Sequence, residues 1–309
     1  MRAARAVAAA ATMVAVAACS QLRSVPVVGS AGDYLAQKGV DNATTVGANV
    51  VTGAVTGEFD KSASFNMEQE YYLGKTIGAT VVGRLGGKAL RPDHPTARYV
   101  RDVGTVLALA AADQRSADDR PYPLKGYRFI VVENDSVNAV GMPGGFIAVT
   151  TGALRAARSE DELAAVLAHE VAHVQRGHVM WPVERAREQE HMTSTILAGT
   201  DSVVHAFFGK VVTLGSDFVL DKGYGKSNEL AADAFAVKIL RGAGYDPSAL
   251  ARMLTRLEGT SAQGGFFSRH PPAAERVEAL GPPPGSPRPV PAGRASRFQA
   301  AAAPFSGKG

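Results

Sequence analysis

From Leu163 to Val174 every position is apolar except His169, Glu170 and His173. On a helical projection Leu163, Leu167, Val171 and Val174 form one narrow apolar stripe, while Val166, His169, Glu170 and His173 share a second face. Ala164, Ala165, Ala168 and Ala172 fill the remainder, the pattern of a helix packed on most sides. Its start is marked by Ser159 with Glu162 three residues later, a capping box, and by Glu160 and Asp161 near the positive helix end. Gly177 is its stop signal. Patterning elsewhere predicts helices from Met67 to Val82 and around Thr96 to Ala112. Tyr127 to Val132 alternates and is β-branched, a strand, and Gly145 to Thr151 is another, entered through Met142-Pro143-Gly144. Asp118-Asp119-Arg120 reads as a solvated turn. Residues 194–220 are fairly apolar, but Asp201, His205, Lys210 and Asp217 interrupt any bilayer-length run, leaving packed or amphipathic helices. Ser227 to Leu240 is a helix stopped by Gly242 and Gly244, and Asp246-Pro247 opens another that ends near Gly259. The fold class is α+β, mainly helical with few strands.

The two ends break this pattern. Arg2 and Arg5 precede a short apolar stretch from Ala6 to Ala18, which describes a secretory signal over residues 1–18. Val16-Ala17-Ala18-Cys19-Ser20 resembles a bacterial lipobox, and Cys19 is the sole cysteine of the chain. Lipidation of Cys19 would anchor the protein at about 0.8 kcal/mol per buried CH2. The alternative is an ordinary secreted signal with an incidental cysteine. Ser20 in place of an aspartate favours the outer membrane, facing the periplasm of a bacterial envelope. Residues 19–66, rich in Gly, Ala, Ser, Thr and Val, read as a tether. The Pro-, Ala- and Gly-rich basic segment 281–309 reads as disordered. Between them, residues 67–280 suffice for one domain with a sizeable core, and no internal repeat is evident. The formal net charge is +4. Arg288, Arg294, Arg297 and Lys308 account for that excess in a tail without acids, so no folded basic face for nucleic acid is indicated.

Within the apolar helix, a carboxylate and two imidazoles need partners, because burying them alone costs several kcal/mol. Histidines at i and i+4 share one face, which suits two ligands of one zinc ion. The intervening glutamate falls beside the metal, where it can take a proton from a water. Two surface histidines with a salt-bridging glutamate would match the same spacing, but the apolar surroundings argue against them. A catalytic zinc takes three protein ligands and a water. Glu229 in Asn228-Glu229-Leu230-Ala231-Ala232-Asp233 is the best third ligand. Asp233 shares its helix face and is placed to accept from a ligand histidine's other ring nitrogen.

The ordered set of motifs resembles the HtpX and CAAX-prenyl-protease superfamily of zinc metallopeptidases, which are gluzincins, and most of all its periplasmic lipoprotein-type bacterial members. The resemblance rests on Met67-Glu68-Gln69-Glu70 with Leu73-Gly74, on Asn138-Ala139-Val140-Gly141-Met142-Pro143-Gly144-Gly145, and on the two metal motifs. Arg269-His270-Pro271 with Glu275-Arg276-Val277 completes it. Val140 stands where many relatives carry an aromatic residue, and the spanning helices of the integral-membrane branches are missing, so their lipidated or prenylated substrates do not transfer.

The resemblance implies a zincin domain with a small mixed β-sheet whose edge strand flanks the active-site cleft. It implies one Zn2+ per chain on His169, His173 and Glu229, peptide-bond hydrolysis, and Glu170 as general base. The strand Gly145–Thr151 is the expected substrate edge, with Asn138, Gly144, Gly145 and Phe146 as substrate-binding residues. His270 is a second catalytic candidate, stabilising the oxyanion or latching onto the zinc. Arg276 is expected to anchor the His270 loop, and His178 and His191 to lie on the surface. The expected partners are unfolded or misassembled envelope proteins. An envelope chaperone or assembly factor on a latched zincin scaffold is the alternative, and a zinc hydrolase of cell-wall material a third.

Overall fold

Asn66 accepts the backbone amides of Glu68 and Gln69, and the Gln69 side chain returns to the Asn66 amide. This reciprocal cap satisfies donors that a helix start otherwise leaves orphaned and begins α1 (Met67–Arg84). A computed structural model describes residues 65–185, 212–257, 273–281 and 290–306 of the chain. The signal, Cys19, the tether up to residue 64, His191, Asp201, His205, Lys210 and His270 lie outside them. α2 (Pro95–Asp113) opens on a proline at its first turn, where the missing amide costs nothing.

Three short strands follow: β1 (Arg128–Val132), β2 (Ala139–Met142) and β3 (Phe146–Thr150). Their order is β1-β3-β2, with β1 parallel and β2 antiparallel to β3. The segment expected to be the substrate edge is therefore the central strand. Both of its sides are paired, and the edge beside the motif helix is β2. Sequence alone missed this because Ala139-Val140-Gly141-Met142 is too short and small-sided to announce a strand; its pairing with β3 makes it one. A tight turn, Pro143–Gly145, joins β2 to β3, and Gly144 enters the left-handed region at φ 68°. α1 lies directly on this turn: a Cβ at Gly74 would stand 1.8 Å from the Pro143 carbonyl oxygen.

α3 (Thr151–Ala156) leads to α4 (Glu160–Gln175), buried along its whole length. Such burial is the expected fate of a helix apolar all round. α5 (Lys226–Gly242), α2, β2 and α6 (Ala249–Leu257) enclose it. α7 (Ala273–Leu280) packs on α5 and α6. The Ser159 hydroxyl caps α4 by accepting the Glu162 amide at 3.3 Å. Glu162 departs from the expected box, accepting the Arg158 amide and pairing with Arg256 instead. No helix among the described residues is long and apolar enough to cross a membrane.

Two expectations are corrected here. The tail is not disordered throughout: Ala292–Ala302 forms α8 against α2 and α4. Arg297 pairs with Glu160, Arg294 with Asp161 at 3.2 Å, and Phe298 and Phe305 are buried. Composition counted the tail's cations without the buried acids at the start of α4 that receive them. The Asp118-Asp119-Arg120 turn is not simply solvated either. Asp119 is buried and accepts from Ser116, and Arg120 pairs with Glu70 at 2.6 Å. Glu70 also accepts the Gly144 amide, so Arg120 ties the loop to α1 and its turn.

Candidate metal centre

Buried inside the helical layer, α4 turns the two imidazoles toward α5. The His169 and His173 Nε2 atoms lie 3.0 Å apart. Glu229, in the first turn of α5, brings Oε2 to 3.3 Å and 3.6 Å from them. All three side chains are fully buried. Tetrahedral bonds of about 2.0–2.1 Å place ligand atoms about 3.3–3.4 Å apart, and the three separations scatter around that value. Two imidazoles and one carboxylate are a donor set of the catalytic zinc type. Among the described residues this is the His/Asp/Glu group whose donor atoms converge for a metal.

Each imidazole is oriented through its other nitrogen. His169 Nδ1 lies 2.8 Å from Asp233 Oδ1, as the helical spacing predicts. Asp233 is in turn gripped by Arg276, whose Nε and Nη2 donate to its two oxygens at 2.7 Å and 2.6 Å. The His270 loop that Arg276 was expected to anchor lies outside the described residues, and the grip on Asp233 is a role the sequence did not announce. Arg276 is fully buried, and its Nη2 comes within 3.4 Å of His169 Nδ1. Burial works against the Asp233 charge, but the Arg276 and His169 contacts outweigh it and hold the carboxyl at about 2. Burial likewise opposes a charged His169, yet Asp233 lifts it to about 9. Burial and the His169 charge together push His173 down to about 4. Without a cation His169 therefore carries both ring protons; the one on Nδ1 is shared with Asp233, and a metal would replace the one on Nε2.

His178, expected at the surface, is half-buried and turned inward. Gly177 ends α4 in the left-handed region at φ 75°, and the next amide, that of His178, donates back to the His173 carbonyl at 3.0 Å. The turn brings His178 Nδ1 to 3.0 Å from His173 Nδ1, so His173 has its own orienting partner. Burial first, then the neighbouring His173, keeps His178 neutral, near 3. The Gly177-His178 pair was the one sequence signal that could have found it. Tyr224 was also missed. Its ring stacks on His173 with centroids 4.3 Å apart, and its hydroxyl lies 3.3 Å from the Gly141 carbonyl oxygen. Only Gly225, which turns the chain at φ 81° into α5, hints at why it arrives there.

Glu170 reaches the sheet edge. Its Oε2 accepts the Gly141 amide at 2.6 Å. A Cβ at Gly141 would stand 2.9 Å from the Glu170 carbonyl oxygen, so strand and helix approach this closely only with glycine there. The other residues expected to touch substrate serve the sheet and its turn. The Asn138 amide donates to Thr150 Oγ1, the Gly144 amide to Glu70, and Gly145 packs on Pro123. Phe146 is buried against the Tyr71 ring. An extended chain could reach β2 here, not β3.

The model of peptidase family M48 matches residues 100–283. The chain is 29% identical over 164 residues to a putative beta-barrel assembly-enhancing protease of Vibrio cholerae, covering 52% of this chain and 32% of that protein. It is 24% identical over 232 residues to the beta-barrel assembly-enhancing protease of Escherichia coli, covering 74% and 47%. The mitochondrial metalloendopeptidase OMA1 of Schizosaccharomyces pombe is 27% identical over 205 residues, covering 65% and 56%. The chain thus spans between about a third and a little over half of these relatives' own lengths.

Proposed function

The chain belongs to peptidase family M48, and from that premise we propose that it is a zinc metalloendopeptidase acting on proteins of the bacterial cell envelope. The observation that carries this reading is Glu170, whose buried carboxylate reaches the β2 edge from the same helix turn that carries both histidine donors. His169, His173 and Glu229 would hold a zinc ion, which would supply a Lewis acid and lower the pKa of a water to about 7. Glu170 accepts the proton of the attacking water and passes it to the leaving amine nitrogen. Asp233 and Arg276 hold the His169 ring, and His178 holds that of His173. β2 offers the substrate its main chain.

The substrate class, misfolded or misassembled envelope proteins, is supported by the names of the bacterial relatives. Attachment through a lipidated Cys19, in the outer membrane and facing the periplasm, belongs to the same proposal, as does His270 acting as oxyanion partner or latch. Those names also favour a second reading, an assembly factor on a latched scaffold. Glu170→Gln separates the two. It should retain one zinc per chain and lose casein cleavage. Unchanged turnover would sink the mechanism, and full complementation of a deletion strain by this variant would favour the assembly role.

A further inference from the structure

We propose that Tyr224 is a catalytic residue: its hydroxyl rests on the Gly141 carbonyl and passes to the scissile carbonyl oxygen when an extended peptide pairs with β2. The inference rests on the peptidase reading above. Gly141 lies opposite Ile147 in the antiparallel register of β2 and β3. Its amide faces the Glu170 carboxylate and its carbonyl faces the Tyr224 hydroxyl, so both main-chain groups point away from β3. These are the two groups an incoming strand would engage, because antiparallel partners exchange both bonds at alternate residues. The general base and the tyrosine thus stand side by side on the same strand residue.

The resting contact of Tyr224 is long. Its 3.3 Å compares with a usual O–H···O distance of about 2.7–2.8 Å, so a substrate amide can displace it at small cost. The hydroxyl cannot travel far, because its ring is pinned between His173 at 4.3 Å and Phe218 at 5.4 Å. Once the substrate occupies the Gly141 carbonyl, the developing charge on the substrate's own carbonyl oxygen is the acceptor that gains most from this donor. Only a hydrogen bond is donated, and the proton stays on Tyr224.

Tyr224→Phe keeps the ring and removes the donor. In zinc-loaded protein the variant should lose about 100-fold in kcat with KM unchanged or lowered, since β2 is left uncapped. Its affinity for a phosphinic peptide, a tetrahedral anionic mimic, should fall by the same factor as kcat/KM. Binding of a reduced-amide peptide without that oxygen should hold or tighten. A kcat within threefold of wild type overturns the proposal, and so does loss of zinc or of the melting transition, which would make Tyr224 a support for His173. Wild-type protein that cleaves neither casein nor peptides overturns the peptidase reading itself, a result separable from an active wild type with an equally active variant.

Discussion

Arg276→Met tests whether the grip on Asp233 shapes the metal centre. The side chain is fully buried and donates two charge-assisted bonds, at 2.7 Å and 2.6 Å, to a carboxylate that is itself only 1% exposed. Removing one partner of such a pair strands the other charge and typically costs about 3–5 kcal/mol. For a domain of this size that is a fall of roughly 6–20 °C in melting temperature. Asp233 would keep His169 but lose the fork that sets its angle, so zinc affinity should drop about 10- to 100-fold. Thermal melts with chelator isolate the stability effect, and competition with a zinc indicator dye measures affinity. The double variant Asp233→Leu with Arg276→Met should cost less than the two single losses added together, because no charge is left unpaired. A single variant that melts within about 1 °C of wild type and binds zinc equally well would refute the reasoning.

Two further outcomes follow from α8. A chain ending at Gly281 lacks Arg294, Arg297, Phe298 and Phe305, and each buried phenylalanine is worth at most about 1.5–3 kcal/mol. Glu160 and Asp161 would also lose their cations. Hydrogen exchange should then quicken at the start of α4, and unchanged protection there would count against a docked tail. On the alkaline side, Tyr99 and Tyr245 donate to Glu160 at 3.0 Å, and burial together with that carboxylate raises both phenols above their ordinary value. A raised folded pKa stabilises below the unfolded value and is lost above it, so stability should decline once pH passes about 10. Urea midpoints of wild type against Tyr99→Phe plus Tyr245→Phe test this; equal alkaline slopes would refute it.

The helix from Glu160 to Gln175 and its His169, Glu170 and His173 face were legible because helical spacing is a local property. Three polar residues in an apolar run already require partners. The first turn of α5 was legible for the same reason, since Glu229 and Asp233 share a face of one helix. The contacts between elements were not. Whether β3 or β2 is the edge depends on which strands find each other. That Arg276 reaches Asp233 was decided only when α7 packed on α5, and the tail's arginines looked solvated until α8 met buried acids.

Local pattern by itself therefore determined the pairing of His169 with His173, the place of Glu170 beside them, and a mainly helical α+β chain. Tertiary structure decided which main-chain edge meets Glu170, and that His178 and Tyr224 stand against His173. It also decided that α8 clamps the head of the motif helix. The physical reason is that periodicity records which face a residue occupies, whereas hydrogen-bond partners far apart in the chain are chosen only when the elements pack.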